Sequence, residues 1–229
     1  MRKILFTITA ALLFVNCFSQ GITKITITES GNTETFAFEP EVNLILNLSV
    51  EGSIKSWGYD VFKERGTENF QEKLEKYQGN VEYYSEKENE ALRGKLKYVG
   101  RTLLTYYTAQ ESEEFVGRLK SVGTSYLEYY FQYENEASRG KIKKIGNNIV
   151  SWYSSFENEA YRGKLKSFGS TRFTYYSSSS DKAYVGKVKS ISNTTFNYYS
   201  SLDKTELRGR MKSSTQILNI NGVKYLVKP

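Results

Sequence analysis

The chain predicts an all-β protein, an antiparallel meander of β-hairpin repeats, and three observations carry that prediction. Aromatic pairs stand at Tyr83-Tyr84, Tyr106-Tyr107, Tyr129-Tyr130, Trp152-Tyr153, Tyr175-Tyr176 and Tyr198-Tyr199, each 23 residues after the last. Gly94, Gly117, Gly140, Gly163, Gly186 and Gly209 keep the same step, and each is followed by a basic-apolar-basic triplet, as in Lys164-Leu165-Lys166. The segments around these markers alternate apolar and polar residues and are rich in Thr, Phe and Tyr, which is strand composition. A constant step means that each unit is one supersecondary element stacked on the next.

Within a unit, residues 163–168 read as a first strand and residues 171–177 as a second, joined by a tight turn at Gly169-Ser170. The longer link around Glu157-Asn158-Glu159-Ala160 suits a loop with Asn near a left-handed position. A short helix over residues 156–165 competes, but Gly163 inside it would cost about 1 kcal/mol in every copy. Period-two geometry puts Val81, Leu104, Leu127, Val150, Phe173 and Phe196 on one face with the first aromatic of each pair. The second aromatics, Tyr84, Tyr107, Tyr130, Tyr153, Tyr176 and Tyr199, are then expected on the opposite face as a ladder. Lys97, Lys120, Lys143, Lys166 and Lys189 are expected to border it. A spacing of three, as from Leu165 to Phe168, implies a bulge or an early turn whose side stays open.

The wide apolar face has to be covered, either by the sheet curling on itself or by the N-terminal segment lying across it as a second layer. That segment reads as strands over residues 22–28, 33–38 and 42–50, with a turn at 29–32. Residues 52–58 echo the repeat, and Lys73-Leu74-Glu75-Lys76-Tyr77 reads as a degenerate copy. At the other end, Asn221-Gly222 between two apolar runs predicts a hairpin with a type I′ turn. The expected organisation is a signal peptide over 1–19, an N-terminal β cap over 20–71, a six-unit array over 72–215 and a C-terminal hairpin over 216–229.

The start of the chain supplies a compartment. Arg2 and Lys3 precede an apolar run from Ile4 to Val15, too short to span a bilayer, and a polar segment ending in Gln20 follows. Cys17 and Ser19 as the small residues before the cut predict cleavage ahead of Gln20 and export to the periplasm, the cell surface or the medium. Acylation of Cys17 is the competing reading, and membrane anchoring is expected only in that case.

The element apolar-x-Gly-x-apolar, as in Leu92-Arg93-Gly94-Lys95-Leu96 and Tyr161-Arg162-Gly163-Lys164-Leu165, together with the 23-residue step, resembles the MORN repeat. The resemblance covers residues 72 to 215. It implies an extended hairpin meander that acts as a scaffold for proteins or lipids. MORN units carry an aromatic where this chain has Leu, Ile or Val after the glycine.

Of 229 residues, 19 are Tyr, two are Pro, one is Cys and none is His. Nucleophile pairs with His and His-containing metal sites are therefore excluded, and no cofactor or metal is expected. The net charge of +7 falls by two when Arg2 and Lys3 leave with the signal, and its signs are interspersed, so nucleic acid is not an expected partner. Glu88, Glu90, Glu134, Glu136, Glu157 and Glu159 recur in the links, and repetition argues against a single asymmetric catalytic pocket. Their expected role is pairing with Arg93, Arg139 and Arg162.

The sequence thus predicts a non-enzymatic protein of the cell envelope. It would bind an extended glycan or protein over the tyrosine and lysine face, where ring spacing of about 9 to 10 Å suits a periodic polymer. The alternative is a structural scaffold that docks a protein partner. Membrane-surface binding and enzymatic activity rank below both. Unpaired edges of an open meander also make self-association an expectation.

Overall fold

A computed structural model describes residues 21–61, 73–212 and 217–229. The signal-peptide segment, with its cleavage and acylation readings, lies outside the described residues. The architecture is all-β, with two open antiparallel-type sheets packed face to face. The first holds seven strands: β1 (Ile22–Thr28), β2 (Thr33–Glu41), β3 (Leu44–Leu48), β4 (Ile54–Asp60) and β5 (Leu74–Glu75), with β17 (Ile217–Ile220) and β18 (Val223–Lys228) from the C-terminus. Its order is β17-β18-β1-β2-β3-β4-β5, and the β1–β18 pair is its parallel contact.

The second sheet is an eleven-stranded meander in strict chain order. It contains β6 (Val81–Tyr83), β7 (Leu96–Val99), β8 (Thr102–Tyr106), β9 (Leu119–Val122), β10 (Ser125–Tyr129), β11 (Ile142–Ile145), β12 (Asn148–Trp152), β13 (Leu165–Phe168), β14 (Thr171–Tyr175), β15 (Val188–Ile191) and β16 (Thr194–Thr195). Five hairpins are complete. Among the described residues, β6 is a second strand without its first, and a bridge between Tyr198 and Met211 begins a first strand without its second.

The degenerate copy at 73–77 does not join the array, because β5 pairs with β4 in the other sheet. The helical alternative reduces to a single 3-10 turn over Glu159–Tyr161. The links do not place Asn at a left-handed position. Asn158 has φ −56° and accepts from the Ala160 amide, while Gly163 supplies the left-handed turn at φ +69°. The C-terminal hairpin turns on Asn221 and Gly222, both with positive φ, as a type I′ turn requires.

The bulge falls on the first strand of every complete hairpin. Tyr106 pairs with Leu119 and Thr105 with Ser121, which leaves Lys120 as the extra residue; Lys97, Lys143, Lys166 and Lys189 occupy the same place. The extra residue lets Leu165 and Phe168, three apart, both face inward.

The apolar face is covered by the seven-stranded sheet, the second of the two expected solutions, except that the C-terminal strands β17 and β18 join the N-terminal ones in the covering layer. Phe36 meets Trp152 edge-on at 6.3 Å between centroids and lies 6.1 Å from Phe168, and Tyr225 packs 5.6 Å from Phe173. Two bonds tie the layers where a bulge frees a strand amide: Ile142 N–H donates to the Val50 carbonyl at 2.8 Å, and Val188 N–H to the Glu29 carbonyl at 3.0 Å. Gly52 and Gly31 sit against the Tyr129 and Tyr175 rings so closely that a Cβ would lie 2.0 Å and 2.7 Å from them.

Candidate functional site

The aromatic rows are assembled by contacts between units. The first aromatic faces the core as expected in five of the six pairs, with Tyr106, Tyr129, Trp152, Tyr175 and Tyr198 all buried, whereas Tyr83 in the first pair is exposed. Each donates its polar atom to the carbonyl ten residues earlier: Tyr106 to Leu96, Tyr129 to Leu119, Trp152 to Ile142, Tyr175 to Leu165 and Tyr198 to Val188, at 2.6 to 2.9 Å. In the first five triplets the first basic residue lies over the first aromatic of its own hairpin. Lys95, Arg118, Lys141, Lys164 and Lys187 sit 4.8 to 5.4 Å from the centroids of these same five rings. Four of the cations also donate to a glycine carbonyl 22 residues on: Arg118 to Gly140, Lys141 to Gly163, Lys164 to Gly186 and Lys187 to Gly209. Burial pushes the Lys164 ammonium down to about 8 and lowers that of Lys141 as well.

The second tyrosines do not line the opposite sheet face. They stand just past the strand ends, half-buried against the core between one unit and the next. The bulge in the facing strand bends and twists the pair at this point, which turns the second aromatic inward too. Tyr84, Tyr107, Tyr130, Tyr153 and Tyr176 donate to the carbonyls of Leu104, Leu127, Val150, Phe173 and Phe196, each 20 residues on, at 2.8 to 3.1 Å. Burial raises the pKa of all five phenols. Four rings meet the next unit's first tyrosine edge-on at 5.8 to 6.2 Å: Tyr84 on Tyr106, Tyr107 on Tyr129, Tyr153 on Tyr175 and Tyr176 on Tyr198. Tyr199, last in the row, makes no hydroxyl bond among the described residues.

The bulged lysines do border this row. Lys97, Lys143, Lys166 and Lys189 lie 5.1 to 5.8 Å above Tyr84, Tyr130, Tyr153 and Tyr176. Each of the first three also pairs with the link glutamate nine residues earlier, Lys97 with Glu88, Lys143 with Glu134 and Lys166 with Glu157, at 2.8 to 2.9 Å, and Lys120 pairs likewise with Glu111. The expected partners Arg93 and Arg162 instead donate through Nε to the backbone carbonyls of Glu88 and Glu157.

The second carboxylate oxygen of each of these glutamates accepts the amide three residues back: Ser85, Thr108, Phe131 and Ser154. Lys97 and the Ser85 amide hold Glu88 below the usual carboxylate range, as Lys120 and the Thr108 amide do Glu111. For Glu134 and Glu157 burial works the other way, and the lysine and amide bonds outweigh it. The carboxylates are thus fasteners of the links.

Sequence reasoning missed two further rows. Asn135, Asn158 and Asp181 each accept the amide two residues on and a second one 20 residues on, at Ser155, Ser178 and Ser201. At the link tips, Tyr133, Phe156 and Leu202 are 82%, 93% and 92% exposed. Part of their signal was available, since 87, 110, 133, 156, 179 and 202 are one repeat position, with Lys87, Gln110 and Ser179 its polar members. Equivalent rungs of adjacent units lie about 9 to 10 Å apart, two strand spacings.

Between the layers, a cleft of about 400 Å³ is lined by Asn148, Thr171, Asn221 and Tyr225 among others, and the Tyr225 hydroxyl is committed to Thr171 at 3.0 Å. Among the described residues, no group of three His, Cys, Asp or Glu stands close enough to hold a metal ion. No family model, curated protein or solved structure matches the chain.

Proposed function

We propose that the protein is an exported, non-enzymatic scaffold of the cell envelope that docks a protein partner along its link tips. One observation supports this over a polymer reader. From Tyr84 to Tyr176, all five second-tyrosine hydroxyls and four of the five bulged lysines are already bonded within the array. A glycan that used these groups would have to break an internal bond for every one it formed. Among the described residues, Tyr133, Phe156 and Leu202 are the most exposed large apolar side chains, and they fall at one repeat position. Exposed aromatic side chains such as Tyr133 and Phe156 carry much of the binding energy of protein interfaces when a partner buries them.

The test uses the mature chain from Gln20 and two variants, Tyr133→Ser/Phe156→Ser/Leu202→Ser and Tyr130→Ala/Tyr153→Ala. Cross-linking in envelope extracts is expected to give one specific protein adduct that the triple variant loses. Insoluble polysaccharides are expected to be ignored at low and high salt. Polysaccharide binding that survives salt and disappears in a folded Tyr130→Ala/Tyr153→Ala protein would overturn the scaffold reading in favour of glycan recognition.

A further inference from the structure

The two ends of the repeat sheet carry complementary halves of the contact set that joins strand to strand within and between units. At the C-terminal end, Tyr199 stands where Tyr176 and its predecessors donate to a carbonyl 20 residues on, and it has no acceptor among the described residues. Arg210 stands where Arg118 and Lys187 lie over the next ring and reach a glycine carbonyl, and among the described residues it makes neither contact and is exposed. Met211 holds the position whose carbonyl accepts the next first aromatic, as Val188 does from Tyr198.

The N-terminal end shows the counterparts. Tyr83 is a first aromatic that is 55% exposed, where its five successors are 1 to 7% exposed. The carbonyl that would serve it, at Lys73, accepts the Val61 amide instead. Val81 holds the place of Leu104 and Leu127 as a tyrosine acceptor, but the residue 20 positions before it is Val61. A Cβ at Gly94 would meet nothing within 4 Å, whereas Gly117, Gly163, Gly186 and Gly209 each rest against a carbonyl of the unit before.

We infer that copies of this chain stack head to tail, the Tyr199–Arg210 end of one repeat sheet seating the Tyr83–Gly94 end of the next as though it were the following unit. Tyr199 would donate to Val81 of the next copy, and Tyr83 of that copy to Met211. Arg210 would lie over that Tyr83 ring and reach the Gly94 carbonyl. The two patches differ, so the contact is heterologous and each added copy exposes a fresh end, giving an open series unless the rotation happens to close a ring. This assembly leaves the link row free and does not depend on what docks there.

The test is sedimentation velocity of the mature chain from low micromolar to submillimolar concentration, with Tyr83→Glu and Arg210→Glu as end-blocked variants. Both side chains are exposed, so both variants are expected to keep the wild-type thermal midpoint. The wild type is expected to give a concentration-dependent ladder beyond dimer, and each variant alone a monomer. Mixed in equal amounts, the variants retain one working end each, and they are expected to form a dimer that grows no further. A wild type that stays monomeric at every concentration, stops at a dimer, or forms the same ladder with either end blocked would overturn the inference.

Discussion

Trp152 donates its indole N–H to the Ile142 carbonyl at 2.8 Å, the bond that a tyrosine hydroxyl makes at the same position in the neighbouring units. The relationship explains why the first aromatic of a pair is Tyr or Trp, although Phe would fill the core equally well. A buried strand carbonyl beside the bulge needs a donor from the side chain ten residues on, and phenylalanine has none.

Tyr129→Phe is accordingly expected to lose about 1 to 3 kcal/mol, because the Leu119 carbonyl is left buried without a partner. Urea unfolding followed by circular dichroism measures it. A change below about 0.5 kcal/mol would mean that packing alone holds the ring.

Ser192 carries φ +48° at the turn position where Gly100, Gly123, Gly146 and Gly169 stand in the earlier units. Ser192→Gly is expected to stabilise the protein by about 0.5 to 1 kcal/mol, since only glycine adopts this region without a steric cost. The opposite change, Gly169→Ala, is expected to destabilise it, because the new Cβ would also lie 2.7 Å from Asn148 Oδ1. Thermal midpoints of the two variants should move in opposite directions.

Gly52 and Gly94 have similar φ, +80° and +69°, but only Gly52 touches the other layer. Alanine at either position meets the same backbone strain. Gly52→Ala is expected to cost about 1 to 3 kcal/mol more, the ordinary penalty of overpacking, since its Cβ would fall on the Tyr129 hydroxyl. Equal losses at the two sites would show that the sheets do not press on each other there.

Stability should pass through a maximum between about pH 8 and 10. Burial lowers Lys164 to about 8, so above that value the folded chain has released a proton that the unfolded lysine keeps. Stability therefore rises with pH in this window, and Lys141 adds in the same direction. Burial holds Tyr106, Tyr129, Tyr175 and Tyr198 protonated well above the ordinary tyrosine range. Above about pH 10 the unfolded tyrosines ionise while these do not, and stability falls. Melting curves from pH 7 to 12, with phenolate absorbance followed in parallel, check both limbs. Full tyrosine ionisation without unfolding would contradict the second.

Much of the fold was legible because it follows from local alternation. The inward places of Leu104, Tyr106 and Phe173, the tight turn at Gly169 and the type I′ turn at Asn221-Gly222 all follow from neighbours within a few residues. The candidate rows were legible as positions and not as contacts. Tyr153 reaches Phe173, Lys166 reaches Glu157 and Lys141 reaches Gly163, partners 20, 9 and 22 residues away. Which of these distances closes is decided by the bulge at the second lysine, and alternation fails at that residue. A period says that units stack, but the twist at the bulge says which atoms meet.

The two interlayer bonds to Ile142 and Val188 lie 46 residues apart along the array, two full repeats. Their donors are fixed by the ladder and their acceptors by one folded sheet that has no period of its own. That sheet is therefore a gauge. Duplicating a 23-residue unit between these anchors would carry Val188 about 9 to 10 Å away from Glu29 and leave a strip of aromatic face without a roof. A tandem array can in principle grow by copying any of its units, but here the unrepeated layer sets the number and keeps the count.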